Sequence, residues 1–353
     1  PWTLELASKV KASRPDLPFV VLAMDPKSLA ERSMEAAPSE VDRVFLWQND
    51  PSLLLAIIKY FEDMANVDQD TQVGSVRVIL LVEDSIAHYS TMLPAIYTAI
   101  MARTRKLIEE GLDYPHKQLR MCSRAKILMA DTYEDAVALF HRYRPYILGL
   151  ITDVHFSRNK REDHNAGFEL AQLLRAELPE LPVCIQSAEP LKNRPRALKA
   201  GAFFIDKNSS RLMENLRHFL KRYMGFGAFI FKSPQGIEIA RAGNTRELLD
   251  RLKEVSIESI LHHAGQQHFS HWMMARAELK IAEQFYPKRV ADFDDPEDLR
   301  TFMLNVIEEV LYEKQSDIIA PFTPKWNPYE MEFMRLGEGL SLIHISEPTR
   351  PKR

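Results

Sequence analysis

The sequence predicts an α/β protein: a doubly wound, five-stranded parallel sheet in the middle of the chain, part of a similar unit before it and a mostly helical domain after it. Three observations carry this. Short unbroken apolar runs rich in Val, Ile, Leu and Phe recur along the chain, the pattern of strands buried on both faces. Helix-length segments with apolar positions three and four apart lie between them. After Tyr223 the alternation stops and helical periodicity takes over. Strand and helix in alternation imply right-handed crossovers, which cover a parallel sheet on both sides.

The apolar runs are residues 19–23, 44–47, 76–82, 126–130, 147–151, 183–186 and 203–205. The last five make one complete unit over residues 76–224. The first two look like the final strands of a second such unit, residues 1–67, whose first half is missing. Between them the polar, turn-forming stretch 68–75 reads as a linker. Amphipathic segments at 131–143, 166–178 and 209–223 supply helices. The stretch from Ser85 to Arg124 is too long for one crossover helix. It reads as a long helix to about Gly111 and then a basic loop with Lys117, Arg120 and Arg124, an insertion at about 102–125 expected to be a solvated extension. Beyond Tyr223, Gly225 and Gly227 break the pattern, and a hairpin over 228–240 turns at Ser233-Pro234-Gln235-Gly236. Helices are expected at 245–255, 258–264, 269–284 and 295–313, with Thr245 as N-cap of the first and Pro296 opening the last. Residues 225–320 make up this domain.

A chain of 353 residues suits two or three domains. Its 46 basic and 49 acidic residues nearly cancel, so no global field favours nucleic acid or an anionic membrane. No apolar run approaches the ~20 residues of a membrane helix, and no signal-peptide pattern opens the chain. Cys122 and Cys184 make no metal-type spacing and fit a reducing compartment, so the expected location is cytoplasmic. Both ends read as cut. The chain opens at Pro1 with a helix already in progress over 2–10, and residues 342–350 resemble the translation of a sequencing adapter, so 340–353 are excluded from fold reasoning.

Function in doubly wound sheets gathers at the carboxyl ends of the strands. Here the first strand of the complete unit ends Glu83-Asp84-Ser85, the third Thr152-Asp153, the fourth Gln186-Ser187-Ala188 and the fifth Ile205-Asp206-Lys207. Glu83, Asp84 and Asp153 then converge on one crevice. Two like charges ~4 Å apart repel by roughly 4 kcal/mol at a surface-like dielectric, so such a cluster calls for a cation. Hard carboxylate oxygens suit Mg²⁺. Lys207 adds a compact positive charge and Ser187 a hydroxyl donor, the parts that neutralise a phosphoryl group arriving on Asp153. Each residue alone could be a solvated turn residue or a cap; five together at the right strand ends point to chemistry.

In order along the chain this set resembles the receiver domain of two-component response regulators, a flavodoxin-like fold. Glu83 and Asp84 match its metal-binding pair, Asp153 its phosphoacceptor, Ser187 its switch hydroxyl and Lys207 its phosphate-contacting lysine. The resemblance implies Mg²⁺ as cofactor, the backbone carbonyl of His155 as a further metal ligand, Phe204 as the rotamer-switching aromatic, and a histidine kinase or phosphotransfer protein as partner. Haloacid-dehalogenase-type phosphatases use similar parts, but their acidic pair comes last and an Asp normally stands where this chain has His155. Two departures from the receiver pattern stand out: Asn208 follows the lysine where Pro is usual, which puts a cis peptide there in question, and the Ser85–Arg124 stretch is long.

The first partial unit resembles a degenerate receiver, with Asp25 at one strand end and Trp47-Gln48 at the other where Ser or Thr and Lys would stand. His268 and His271, three apart, could share a helix face as metal ligands, but no Cys or nearby carboxylate completes a set, and a polar helix start is expected instead. Phe269, Trp272 and Met273 are expected in a core. The whole order, ending in Phe333-Met334-Arg335-Leu336-Gly337-Glu338-Gly339, resembles the N-terminal regulatory part of phosphoenolpyruvate synthase or pyruvate phosphate dikinase-like bacterial proteins. That implies a linker at 321–339 to a catalytic domain beyond this chain. The expected function is a phosphoacceptor module controlling an attached output domain, with no catalysis of its own beyond gaining and losing phosphate. The alternatives are a non-catalytic fragment of such an enzyme and a scaffold that no longer phosphorylates.

Overall fold

The computed structural model describes residues 2–25, 40–109 and 124–319. Lys117, Arg120, Cys122, the 321–339 linker and the 340–353 tail lie outside these residues. Residues to Leu311 belong to one compact unit, and Tyr312 begins a second. No helix among the described residues is long and apolar enough to cross a membrane.

Helix α1 (Trp2–Ser13) leads to two short strands, β1 (Val20–Ala23) and β2 (Arg43–Leu46), which pair in parallel with Val21 opposite Val44. Helix α2 (Ser52–Gly74) follows. The central unit then runs β3 (Val78–Val82), α3 (Ile86–Glu109), β4 (Lys126–Ala130), α4 (Tyr133–Tyr143), β5 (Ile147–Asp153), a hairpin of β6 (Phe156–Arg158) and β7 (Arg161–Asp163), α5 (Ala166–Glu177), β8 (Val183–Ser187), α6 (Pro190–Lys199), β9 (Phe203–Asp206) and α7 (Leu212–Arg222). Five of these strands form one parallel sheet in the order β4-β3-β5-β8-β9. This is the flavodoxin-like doubly wound order, with its switch point between β3 and β5.

Strand side chains alternate between two cores. Ile79, Leu81, Ile151, Cys184 and Ile205 pack with Tyr89, Leu93 and Ile96 of α3 and Leu216 and Phe219 of α7. Leu80, Val82, Leu150 and Ile185 pack with Ala136 and Phe140 of α4, Leu170 and Leu174 of α5 and Ala197 of α6. Burial on both faces is why these runs show no polar alternation.

The first strands and α2 belong to the first of these cores: Phe45, Leu53, Ala56 and Tyr60 join it from β2 and α2. The described part of the opening segment therefore shares the central unit's core, although β1 and β2 form a sheet of their own. The 68–75 linker is a second difference. These residues are the last turns of α2, which ends where Ser75 takes φ 49° and Val76 N donates to Asp70 O. Their polarity has another cause: Asp68 pairs with Arg142 and accepts from Tyr143, and Asp70 sits 2.6 Å from Lys126. The third difference concerns Arg124, expected on a solvated loop. It is buried and pairs with Asp63, itself fully buried on α2. Asp63 also accepts from Tyr97 Oη and Ile127 N, each at 2.9 Å.

After α7 come the antiparallel strands β10 (Phe229–Lys232) and β11 (Glu238–Ala242), then α8 (Thr245–Glu254), α9 (Ile257–Gly265), α10 (His268–Ala275), α11 (Leu279–Phe285) and α12 (Pro296–Ile319). A third core gathers here around Phe229, Phe231, Leu252, Trp272, Met273 and Ile307. Phe269, Trp272 and Met273 are buried in it, as expected. The helix expected over 269–284 is two: Ala277 takes φ 58°, and Ala277 N caps back onto Met274 O. Asn244, not Thr245, caps α8, its side chain accepting from Glu247 N at 2.9 Å.

Removing one partner of a buried ion pair costs about 3–5 kcal/mol because the other charge is stranded. Asp63→Ala is expected to lose stability of that order in urea unfolding, with Asp63→Asn losing less; a change below about 1 kcal/mol would mean that α2 is not held through Asp63.

Candidate active site

The reversal of strand order between β3 and β5 opens a crevice at their carboxyl ends, and the predicted carboxylates meet there. Glu83, one residue past β3, is fully buried; Asp84 is exposed at the mouth; Asp153 closes β5 with its side chain 14% exposed. One oxygen from each lies within 4.8 Å of the others. Lys207, just past β9, reaches in with a side chain only 4% exposed. Its Nζ lies 2.7 Å from Glu83 Oε2 and 2.6 Å from Asp153 Oδ2. Val154 N donates to Asp153 Oδ1 at 2.6 Å, so both carboxylate oxygens are held.

The charges do not balance within the protein. Burial pushes the Glu83 carboxyl up to about 8, with the neighbouring Asp153 adding to the effect and Lys207 only partly opposing it. Partial desolvation at the crevice mouth, and then Asp153, push the Asp84 carboxyl up to about 6 although the residue stays exposed. Burial works against the Lys207 charge, but Glu83 and Asp153 outweigh it and its pKa is raised. One ammonium thus faces three carboxylates, and the remaining negative charge must be met by protons or by a cation. The donor set is all hard oxygen, which fits Mg²⁺.

Ser187 closes β8 with 2% exposure. Its Oγ accepts from Glu189 N at 3.0 Å and from Asn193 Nδ2 at 2.9 Å. With two bonds accepted, the O–H remains as a donor. Phe204 lies opposite Ile185 across the β8–β9 pair, with the Arg194 guanidinium 5.3 Å from its ring centre. His155 follows on the β5 loop; its imidazole packs edge-on against His164 at 4.8 Å between ring centres. His155, Glu162 and His164 form a second group with ligand atoms within 4.8 Å of one another. His268 and His271, weighed from sequence as metal ligands, fall in no such group among the described residues; His268 Nδ1 is hydrogen-bonded to His263 Nδ1 instead.

Three contributors escaped sequence reasoning. Gly167 opens α5 against the acceptor loop: its N donates to Val154 O at 3.1 Å, and a Cβ there would stand 1.9 Å from Asp153 O. The sequence signal was a Gly shortly after the acceptor at a helix start. Asn208, noted only as replacing Pro, ties the β9 loop to the β8 loop through Nδ2 to Ala188 O at 3.2 Å. No cis peptide occurs among the described residues. His88, one turn into α3, places Nδ1 3.9 Å from Glu83 Oε1. The β6–β7 hairpin was also unforeseen; Asn159 and Lys160 both take positive φ, as a tight two-residue turn requires.

No family model and no curated protein matches the chain. Among solved structures it is similar to a response regulator receiver domain protein from Clostridium thermocellum, at 18% identity and a TM-score of 0.28, over 42% of this chain and 96% of that one.

A carboxyl whose folded pKa is raised binds its proton more tightly when folded, so stability from Glu83 falls as pH rises from about 4.5 towards about 8. A Mg²⁺ ion held by these carboxylates would compete with that proton. Thermal melts are expected to show a larger Mg²⁺ stabilisation at the top of this window than at the bottom, and Glu83→Gln should flatten the difference; equal stabilisation throughout would remove these carboxylates as ligands. Gly167→Ala is expected to cost several kcal/mol, because the backbone of the Asp153 loop must move, while the mid-helix Gly-to-Ala preference would give only about 1 kcal/mol in the other direction. A neutral or stabilising result in urea unfolding would show that the loop yields freely.

Proposed function

We propose that residues 76–224 are a Mg²⁺-dependent phosphoacceptor module that takes a phosphoryl group on Asp153 from the phosphohistidine of a histidine kinase or phosphotransfer protein, and so controls an attached output domain. One observation carries the reading: a buried lysine joins Glu83 to Asp153 at 2.6–2.7 Å, among three carboxylates at the switch point of a doubly wound sheet. A structural ion pair alone would not need the third carboxylate, nor a pair held at the crevice where such sheets bind ligands.

The Asp153 carboxylate attacks phosphorus in line. The new bond is Asp153 O–P, the donor's N–P bond breaks, and the departing imidazole takes a proton from solvent to leave neutral. Val154 N–H holds Oδ1, which orients the carboxylate and leaves the Lys207 side as the reacting edge. Lys207, already charged and desolvated, moves its donors from carboxylate to phosphoryl oxygen without reorganising solvent. Mg²⁺ held by Glu83, Asp84, Asp153 and the His155 carbonyl would offset the charge on the phosphoryl oxygens.

Ser187 supports a readout. Its O–H is free to donate to a phosphoryl oxygen, and any shift of its Oγ strains the bonds from Glu189 N and Asn193 Nδ2 that seat α6. Phe204 and Arg194 sit on the β9–α6 face that would respond. The phosphoenolpyruvate synthase-like parent finds no support in the described residues; the stretch 333–339 that suggested it lies outside them.

Incubating the full chain with acetyl phosphate or phosphoramidate should add one phosphoryl group by intact mass, only with Mg²⁺ and not in Asp153→Asn. No gain in folded protein with Mg²⁺ present would leave a receiver-like fold without receiver chemistry.

A further inference from the structure

At the amino ends of β8 and β9, the opposite end of the sheet from Asp153, a cavity of 480 Å³ lies between the sheet and helices α9 and α10. Its wall is unevenly charged. Arg175, Lys221, Arg222 and Lys232 contribute four cations, and Glu180 is the one carboxylate lining it among the described residues. Arg175 is engaged with the carbonyls of Leu181, Ala200 and Gly201. No carboxylate among the described residues forms an ion pair with Lys221 or Arg222. Lys232 senses Glu238, but that carboxylate is bonded to Arg241.

Four imidazoles line the same wall: His262, His263, His268 and His271. Their hydrogen bonds dictate tautomers. Lys232 N donates to His263 Nε2 at 2.8 Å, so that nitrogen carries no proton and His263 is protonated on Nδ1. The 2.9 Å contact between His263 Nδ1 and His268 Nδ1 then makes His268 the acceptor, with its own proton on Nε2. Both rings are neutral, and His268 Nε2–H is left as a donor. Burial, followed by the mutual repulsion of these groups with Lys232 and Arg222, holds His263 at about 3 and His268 at about 4. His271 is held at about 4 by burial, His268 and Arg77. Tyr223, Phe229 and Trp272 add an aromatic flank to the same wall.

We propose that this cavity binds a small phosphorylated metabolite, its phosphate seated among Arg222, Lys232 and His268 and its organic part against the aromatic flank. A doubly charged oxyanion accepts from several donors at once and suits a guanidinium, an ammonium and a ring N–H arriving from separate elements. The volume exceeds what a single inorganic ion fills and falls within the range of small-molecule sites. The neutral His268 ring meets the anion through its Nε2–H, because its Nδ1 is occupied by His263.

The test is calorimetric titration of the full chain with pyrophosphate, with inorganic phosphate and citrate as separate arms. It is run without Mg²⁺ and with Asp153→Asn in parallel, which separates this cavity from the strand-end site. Pyrophosphate is expected to bind both proteins alike, since the cavity lies at the opposite end of the sheet from Asp153. Arg222→Ala and Lys232→Ala should each weaken it about tenfold, the scale of one charge-assisted bond, while the distant Lys253→Ala should not. His268→Ala, which removes the Nε2–H donor, should weaken it as well. Three results overturn the proposal: no binding at millimolar pyrophosphate, binding indifferent to Arg222 and Lys232, or citrate binding as tightly with the same indifference.

Discussion

The Lys207 ammonium is the constraint on which the carboxyl end of the sheet depends. A lysine with 4% of its side chain exposed is tolerable only with its charge matched at close range, and Glu83 and Asp153 match it. The match needs β3, β5 and β9 to end at one level. The continuous parallel register from Val82 opposite Thr152, through Asp153 opposite Gln186, to Ser187 opposite Asp206 delivers that. Gly167 serves the same end, letting α5 approach the Asp153 backbone more closely than any side chain would allow. The third carboxylate, Asp84, has no such partner among the described residues. Among the described residues the site thus carries more negative than positive charge, the condition under which carboxylates bind a proton or a cation.

A second set of charges does a different job. Asp63, Asp68 and Asp70, along α2, meet Arg124, Arg142 and Lys126 of the central unit, and Arg43 of β2 makes a bidentate pair with Asp131 beyond β4. Tyr89 Oη donates to Val44 O, and Ser90 Oγ accepts from Leu46 N. The exposed Asp68–Arg142 pair contributes little, whereas the buried or part-buried pairs of Asp63, Asp70 and Arg43, though of small net stability against apolar replacements, penalise misplacement heavily. They therefore fix where α2 and β2 lie on α3 and β4, while Phe45, Leu53 and Tyr60 supply the apolar contact. The α3 face is consequently occupied in part by the chain's own preceding segment.

The strands and the strand-end residues were legible because their signals are local. A strand buried on both faces must be continuously apolar, so β3, β4, β5 and β8 announced themselves, and Glu83, Asp84, Asp153, Ser187 and Lys207 followed from where those runs stop. Asp68 and Asp70 misled for the complementary reason. A polar, turn-forming residue and a helical residue paired with a distant cation look the same in sequence, and Asp68 is separated from Arg142 by 74 positions. Arg124 read as solvated for the same reason, since its partner Asp63 lies 61 positions away. The single helix expected over 269–284 failed at Ala277, whose positive φ no alanine signals.

By itself the sequence determined the alternation of strands and helices, the two-sided burial of the sheet, and the identity and order of the residues at its carboxyl ends, because hydrophobic period and strand termination are properties of contiguous residues. Only the tertiary structure decided that Lys207 reaches both Glu83 and Asp153, that the opening segment shares a core with the central unit, and that four imidazoles and Arg222, Lys221 and Lys232 face one cavity. Each of these joins side chains from elements far apart in the chain. Charge complementarity at a distance leaves no periodic trace in sequence; it exists only once burial removes the water that would otherwise satisfy each group separately.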